Sequence, residues 1–262
     1  MSTEVNTIPI VNLGQLGLGV SEEPREEEWL RVAKELKGAF CGVGFVYLDN
    51  HGIPSTLVEK VFGSAAKFFS LDKEIKTKYR KKSFGSVEGY VEMDQEQLDD
   101  KTDKLFEIRE SFYLKYMETG IFPVEEVPEL KSHMTALYDA CLQLIPRLLT
   151  AMSLALDLER DFFTLNHQKL QTMSSCNSST MRLNYYPPVP PNTPEKSIRC
   201  GTHTDYGTIT LLFQDSMGGL QVQDVSGSWV EARPIPGTIL VNAGDLLQIW
   251  TSGKFVATVS TI

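Results

Sequence analysis

The chain has 262 residues, and its hydrophobic fraction of 42% is ordinary for a globular protein with a real core, which excludes a largely disordered protein. The net charge of −9 argues against nucleic acid or an anionic membrane as a partner, because both bind concentrated lysine and arginine. The four cysteines form no CxxC pair, and no segment has the pattern of a secretory leader or a membrane span, so we expect a cytoplasmic protein without a thiol metal site.

The first elements of the chain are predicted from the spacing of apolar residues. Residues 8–13 predict a short strand, and residues 26–40 predict a helix whose apolar side chains recur at steps of three and four. Residues 44–48 predict a buried strand, which ends at the turn formed by residues 50–52. A second helix is expected to follow, with Ser55 as its N-cap.

The middle of the chain is predicted to be mostly helical. Residues 72–82 are rich in lysine and glutamate and predict a third, largely exposed helix, with the basic run at 76–82 on its solvated face. Residues 83–103 are polar and predict a loop. A long helix is predicted over residues 131–158, and Pro146 inside it favours a kink.

From Met181 onward the sequence consists of short alternating runs separated by turn signals. A cluster of prolines at 187–191 predicts a loop, because proline cannot donate a hydrogen bond to a neighbouring strand. Many short strands at even spacing are typical of a β-sandwich or jelly roll, so the predicted fold class is α+β. The predicted strands are residues 182–186, 208–213, 219–223, 229–232, 238–242 and 246–251.

One pair of residues at the start of this region has the chemistry of a metal site. Residues two apart in an extended chain project to the same side, so the side chains of His203 and Asp205 are expected to converge. An imidazole nitrogen and a carboxylate oxygen are two of the three protein donors in the 2-His-1-carboxylate site for non-haem iron(II). A His-x-Asp pair also arises by chance, and the alternative interpretation is a polar pair at the entrance of a strand.

Six segments of the chain carry signatures of one known family, in the order in which that family has them. The segments are residues 8–13, 40–54, 68–76, 181–188, 203–205 and 218–222. Through them the chain resembles the isopenicillin N synthase-like branch of the iron(II) and 2-oxoglutarate-dependent dioxygenases, with its GFF…NHGIP, R-x-NYYP and GGLQV signatures. The resemblance implies a double-stranded β-helix, or jelly roll, flanked by N-terminal helices.

The resemblance also implies how the chain is divided into regions. An N-terminal non-haem dioxygenase region is expected at residues 1–120, and a connecting region with the long helix at 121–177. The iron(II)/2-oxoglutarate dioxygenase jelly-roll domain is expected at 178–262.

The same resemblance implies roles for individual residues. His203 and Asp205 would hold Fe(II), and Asn184 and Tyr186 would hydrogen-bond the co-substrate 2-oxoglutarate. His51 lies inside a signature, but we expect it to fix the turn around it and not to bind metal.

The sequence departs from the family near residue 260. The family's second histidine ligand lies in a strand reading G-K-x-x-S-x-x-H-R-V, and residues 253–259 follow that pattern until Ser260 stands where histidine is expected. No histidine follows His203. The arginine that pairs with the distal carboxylate of 2-oxoglutarate is also absent. We therefore expect impaired activity, missing last barrel strands, and residues 260–262 translated from non-exonic sequence.

The expected function is oxidation, chiefly hydroxylation, of a small organic substrate with O2, Fe(II) and 2-oxoglutarate. One alternative is an oxidase that uses no 2-oxoglutarate, which Asn184 and Tyr186 disfavour. Another alternative is a non-catalytic truncated product that acts at most by binding a partner. A third alternative is a metal-free jelly-roll binding module.

Overall fold

The computed structural model describes residues 8–82, 88–93, 106–115, 117–171 and 179–262. These residues group into two units. Unit one contains residues 8–52, Gln143–His167 and Thr202–Ile262, and unit two contains the described parts of Ile53–Leu142 and Gln168–Gly201. Most of the predicted loop at residues 83–103 lies outside the described residues.

The helices and strands largely follow the predicted order. The helices are α1 Glu26–Cys41, α2 Ser55–Phe69, α3 Lys73–Lys76, α4 Glu129–Ala155, α5 Phe162–Asn166 and α6 Asp245–Trp250. The strands are β1 Ile10–Asn12, β2 Phe45–Asp49, β3 Gly89–Val91, β4 Phe106–Glu107, β5 Glu110–Leu114, β6 Met181–Tyr185, β7 Ser197–Ile198, β8 Ile209–Leu212, β9 Gln221–Gln223, β10 Trp229–Glu231, β11 Ile239–Ala243 and β12 Ser260–Thr261. Strand β3 lies inside the predicted loop, and β4, β5, β7 and β12 were not predicted, because most of them are only two or three residues long.

Unit one is built around a four-stranded sheet with the order β1-β2-β11-β8. Strand β1 pairs with β2 in parallel, and β11 pairs antiparallel with both β2 and β8. A second, antiparallel sheet has the order β10-β9-β12. Buried side chains from both sheets, among them Phe45, Tyr47, Val222 and Leu240, form one apolar cluster. This cluster holds the two sheets together.

Helix α1 packs on β2 with the face that its apolar spacing predicts. The buried side chains of that face include Val32, Leu36 and Phe40. The chain then turns sharply into β2 at Gly44, which has a φ of +73°. A Cβ at Gly44 would lie 2.3 Å from the carbonyl oxygen of Val256, so only glycine fits this entry to the strand.

The turn after β2 is fixed by its own residues and by one long-range contact. Asn50 and Gly52 both have positive φ, and a Cβ at Gly52 would lie 2.1 Å from the Leu18 carbonyl oxygen. The ring of His51 is buried, and its Nε2 lies 3.1 Å from the carbonyl oxygen of Gly237. His51 therefore holds the turn against the chain just before β11, as the sequence predicts.

We expect His51 to make the stability of the protein sensitive to acid. Burial lowers the pKa of His51, and this outweighs the Gly237 carbonyl and Asp49, which act to raise it. Because the folded pKa lies below the unfolded value of about 6.5, the stabilisation is present above that value and is lost as the pH falls through the folded pKa. Substituting glutamine keeps a donor for Gly237 but does not titrate.

This expectation is checked by urea unfolding of the wild type and of His51→Gln at about pH 7.5 and about pH 5.5. The wild type should lose more unfolding free energy over this interval than the variant. Parallel pH profiles of the two proteins would contradict the assignment.

Unit two contains an antiparallel sheet with the order β3-β5-β6 and a parallel pair of strands, β4 and β7. Its core centres on Phe68. The ring of Phe68 lies 4.8 Å from that of Phe112, 5.3 Å from Phe69, 5.8 Å from Tyr90 and 6.3 Å from Tyr79, centroid to centroid. These tilted and edge-on contacts join α2 to the sheet.

Two helix predictions in unit two are wrong. Pro54, and not Ser55, is the N-cap of α2, and it makes no side-chain capping bond. The helix predicted over residues 72–82 is reduced to α3 and a short 3-10 turn. Lys76, predicted to face solvent, is only 7% exposed, because its Nζ lies 2.6 Å from the Glu110 carboxylate, a partner 34 positions away.

The strand predicted over residues 246–251 is also wrong, since these residues belong mainly to α6. A short apolar run does not distinguish a strand from a helix by its spacing. Gly244 is the N-cap of α6 and is extended, and Asp245 stands in the first turn, where a carboxylate is favourable. Only Leu247 of this helix is fully buried.

The prediction of a mixed helical and β fold is confirmed. The sheets of the described residues do not close into a barrel. In the part of the chain that the structure describes, every helix is too short or too polar to cross a membrane.

Candidate metal site

The side chains of His203 and Asp205 converge, as their two-residue spacing predicts. His203 Nε2 lies 3.7 Å from Asp205 Oδ1, and the two side chains are 22% and 28% exposed. Two adjacent ligands of one divalent metal, each bonded at about 2.1 Å, lie roughly 3.0–3.4 Å apart. The His203–Asp205 separation is a few tenths of an ångström longer than this, and both side chains are accessible to solvent.

The carboxylate of Asp205 is held through one of its two oxygens. Thr210 Oγ1 donates to Asp205 Oδ2 at 2.5 Å, and Asn242 Nδ2 donates to the same oxygen at 2.9 Å. The other oxygen, Oδ1, is the one nearer His203 Nε2. Oδ2 of Asp205 is therefore hydrogen-bonded within the protein, and Oδ1 lies on the side of the His203 imidazole.

The backbone around Asp205 is fixed by the N-terminus of α6. Asp245 N–H donates to Asp205 O at 2.7 Å, and Gly244 N–H donates to Thr208 O at 2.9 Å. A Cβ at Gly244 would lie 2.2 Å from Gly207 O and 2.8 Å from Asp205 O. Only glycine allows the two chain segments to approach so closely, and this approach determines where Asp205 lies.

Ser260 lies directly across from His203. The two residues form an antiparallel bridge, in which His203 N–H donates to Ser260 O at 3.0 Å and Ser260 N–H donates to His203 O at 2.9 Å. Residues directly opposite in an antiparallel pair project to the same face, so the side chain at position 260 shares the face of His203. This is the position where the resemblance predicts the second histidine.

The described residues supply two of the three donors of a 2-His-1-carboxylate site, an imidazole and a carboxylate, and Ser260 shares the face of His203. Among these residues, no group of three or more histidine, cysteine, aspartate and glutamate side chains could hold a metal ion. His203 and Asp205 are the residues that would hold iron(II), and Ser260 offers a much weaker donor than imidazole.

The residues predicted to bind 2-oxoglutarate, Asn184 and Tyr186, lie in unit two. Asn184 is exposed on β6, where Ser111 Oγ donates to its Oδ1 at 3.0 Å. Burial raises the pKa of Tyr186 to about 12, with a further contribution from Cys200, while Arg109 and Arg182 act to lower it. The Tyr186 hydroxyl is therefore protonated at neutral pH and can donate a hydrogen bond.

The remaining histidines have structural partners. His133 Nδ1 lies 2.6 Å from Ser64 Oγ in unit two. In unit one, His167 Nδ1 lies 2.6 Å from Phe163 O and its Nε2 lies 3.0 Å from Thr208 Oγ1.

Sequence reasoning missed Thr210, Asn242 and Gly244. For Asn242 a signal existed, because it is a polar residue inside the apolar run Ile239–Ala243 and is only 5% exposed. A polar side chain at such a position must have a hydrogen-bond partner. Nothing in the local sequence identifies that partner as Asp205.

Comparison with known proteins identifies the family. The model described as "2OG-Fe(II) oxygenase superfamily" matches residues 177–259, and that described as "non-haem dioxygenase in morphine synthesis N-terminal" matches residues 8–134. Homoarginine-6-hydroxylase from Glycine max is 30% identical, over 100% of this chain and 82% of its own length. A 2-oxoglutarate-dependent dioxygenase from Glarea lozoyensis is 33% identical, over 80% of this chain and 68% of its own.

Solved structures agree with these sequence matches. Full-length T7H of Neurospora crassa in complex with alpha-KG has a TM-score of 0.83 and 30% identity, over 100% of this chain and 80% of that one. A putative 2OG-Fe(II) oxygenase family protein from Caulobacter crescentus has a TM-score of 0.76 and 26% identity, over 97% and 79% of the two chains. Such oxygenases have a jelly-roll fold and use Fe(II) with 2-oxoglutarate as co-substrate. The chain belongs to this superfamily of 2-oxoglutarate- and iron(II)-dependent dioxygenases, which are oxidoreductases.

Proposed function

We propose that this chain carries out 2-oxoglutarate-dependent oxidation, chiefly hydroxylation, of a small organic substrate, with Fe(II) held by His203 and Asp205. The convergence of the two side chains, 3.7 Å apart on the face that also bears Ser260, carries the proposal. Fe(II), when bound with 2-oxoglutarate and O2, supplies the oxidising chemistry of the family. The protein would supply the site's position and a carboxylate whose second oxygen is already hydrogen-bonded.

Asn184 and Tyr186 are proposed to bind 2-oxoglutarate by donating hydrogen bonds. Burial raises the pKa of Tyr186 to about 12, so its hydroxyl remains protonated at neutral pH. The hydroxyl can therefore donate a hydrogen bond to a carboxylate of the co-substrate. The bond from Ser111 to Asn184 Oδ1 fixes the amide with Nδ2 as its donor group. Both side chains therefore have the polarity that an anionic co-substrate requires.

A small organic substrate is supported by what the relatives act on or bind. One relative is a homoarginine hydroxylase, and one neighbouring structure, 29% identical, holds alpha-KG and thymine. An amino acid and a nucleobase differ in shape, but both are small and polar. A cytoplasmic location is part of the proposal, supported by Cys41, Cys141 and Cys200, which form no disulfide within the described residues.

A second candidate function is non-catalytic, and the observation that favours it is Ser260. A hydroxyl at the third donor position binds Fe(II) far more weakly than imidazole, so iron would be held by only two strong protein ligands. In this case the chain would act at most by binding a partner.

Succinate formation from 2-oxoglutarate with added Fe(II) tests the proposal. The wild type is expected to form succinate, and His203→Ala and Asp205→Ala are each expected to abolish it, because each removes a strong ligand. His133→Ala, which alters a histidine of unit two, is the matched control and should retain turnover. Turnover by Ser260→His but not by the wild type would favour the second candidate. No turnover by either protein would overturn the proposed function.

A further inference from the structure

We propose that Thr210 and Asn242 are positioning residues that fix the carboxylate of Asp205 through Oδ2 and so present Oδ1 as the single metal-facing oxygen. This inference rests on the proposed function, since it assigns a purpose to contacts of the same site. It names two side chains that the His-x-Asp pattern does not contain.

The positions of Thr210 and Asn242 follow from the register of β8 and β11 in the four-stranded sheet of unit one. Strand β8 pairs with β11 so that Thr210 is directly opposite Asn242. Directly opposed residues share a face, so the hydroxyl and the amide reach the same point, which is occupied by Asp205 Oδ2. Two strands of the four-stranded sheet therefore hold a carboxylate that itself belongs to the turn before β8.

The two contacts are of the kind that a carboxylate oxygen accepts. Both groups donate to one oxygen, at 2.5 Å and 2.9 Å, and hydrogen bonds to a charged acceptor are the stronger kind. With Oδ2 engaged twice, the carboxylate plane is fixed and Oδ1 is the oxygen left on the side of His203 Nε2. A carboxylate bound through one oxygen leaves more positions open at a six-coordinate metal, which a co-substrate and O2 require.

Metal affinity distinguishes this positioning role from a merely structural one. Thr210→Val removes the hydroxyl at nearly constant shape, Asn242→Ala removes the amide, and Thr210→Ser keeps the hydroxyl as the matched control. Calorimetric titration with Co²⁺ is expected to show roughly 10–100-fold weaker binding for Thr210→Val and Asn242→Ala, the usual effect of losing a group that orients a ligand. Thr210→Ser should stay within about threefold of the wild type. When the same substitutions are made in Ser260→His, each is expected to weaken Co²⁺ binding by the same factor, although all affinities should be higher.

Affinities of Thr210→Val and Asn242→Ala within about threefold of the wild type in both backgrounds would overturn the inference. A double-mutant cycle in EDTA separates this failure from that of the proposed function. In this metal-free cycle the unfolding equilibrium constants of the wild type, Thr210→Val, Asp205→Ala and the double variant are compared. The effects of the two substitutions are expected to be non-additive by about tenfold, because Thr210 and Asp205 share a hydrogen bond. Absence of Co²⁺ binding by both backgrounds would overturn the proposed function, while a coupling below about twofold would overturn the anchoring of Asp205.

Discussion

Ser260→His is expected to raise the affinity of the protein for Co²⁺ or Fe(II) by more than about 100-fold, because it supplies an imidazole at the third position of the site. Loss of a residue that only orients a ligand costs about 10–100-fold in affinity, so gain of a direct ligand should exceed that range. Position 260 is directly opposite His203 in a hydrogen-bonded bridge, where Cα atoms are about 5.5 Å apart. Two imidazoles at that separation can reach a common metal with Asp205.

Thr261→His is the matched control for Ser260→His. It adds the same side chain to the same strand, β12, but successive residues of a strand project to opposite faces. Thr261→His should therefore leave metal affinity near the wild-type value. Equal gains in affinity from the two substitutions, measured by calorimetric titration under anaerobic conditions, would contradict the assignment of position 260.

Gly244→Ala is expected to lower the free energy of unfolding by about 3 kcal/mol or more and to abolish metal binding. The added methyl group would lie 2.2 Å from Gly207 O and 2.8 Å from Asp205 O, so the turn that carries Asp205 must move. These neighbours are backbone atoms, which cannot rotate away as a side chain can. The displacement would separate Asp205 from Thr210, Asn242 and His203 together.

Gly207→Ala is the control for this prediction. It lies in the same turn, its φ is not positive, and its added Cβ has no atom within 4 Å. Urea unfolding should therefore place Gly207→Ala within about 1 kcal/mol of the wild type. If the two alanine variants have equal stability, the close approach at Gly244 does not determine the position of the turn.

The pattern of the sequence was sufficient where the determining interactions are local. The helical spacing of Val32, Leu36 and Phe40 predicted the buried face of α1, and the two-residue spacing of His203 and Asp205 predicted that their side chains converge. In both cases the backbone geometry of one element sets the result. The same reasoning failed for α6, where a short apolar run fits a helix as well as a strand.

The spacing of residues did not predict contacts between residues that lie far apart in the sequence. Lys76 belongs to a basic run that predicts solvent exposure, yet it is buried against Glu110. Asn242 lies 37 positions from Asp205, and only the register of β8 and β11 brings the two together. The hydrogen bonds that hold Asp205 therefore depend on the pairing of the strands, whereas the convergence of His203 and Asp205 depends on the local sequence.

Diffraction at the cobalt absorption edge, from a crystal of the wild-type protein soaked with Co²⁺, would show whether His203 and Asp205 bind a metal together. We expect an anomalous difference peak about 2.1 Å from both His203 Nε2 and Asp205 Oδ1, with Asp205 Oδ2 still bound to Thr210 and Asn242. A map without a peak at this position, or with cobalt bound elsewhere while His203 and Asp205 bind none, would contradict this expectation.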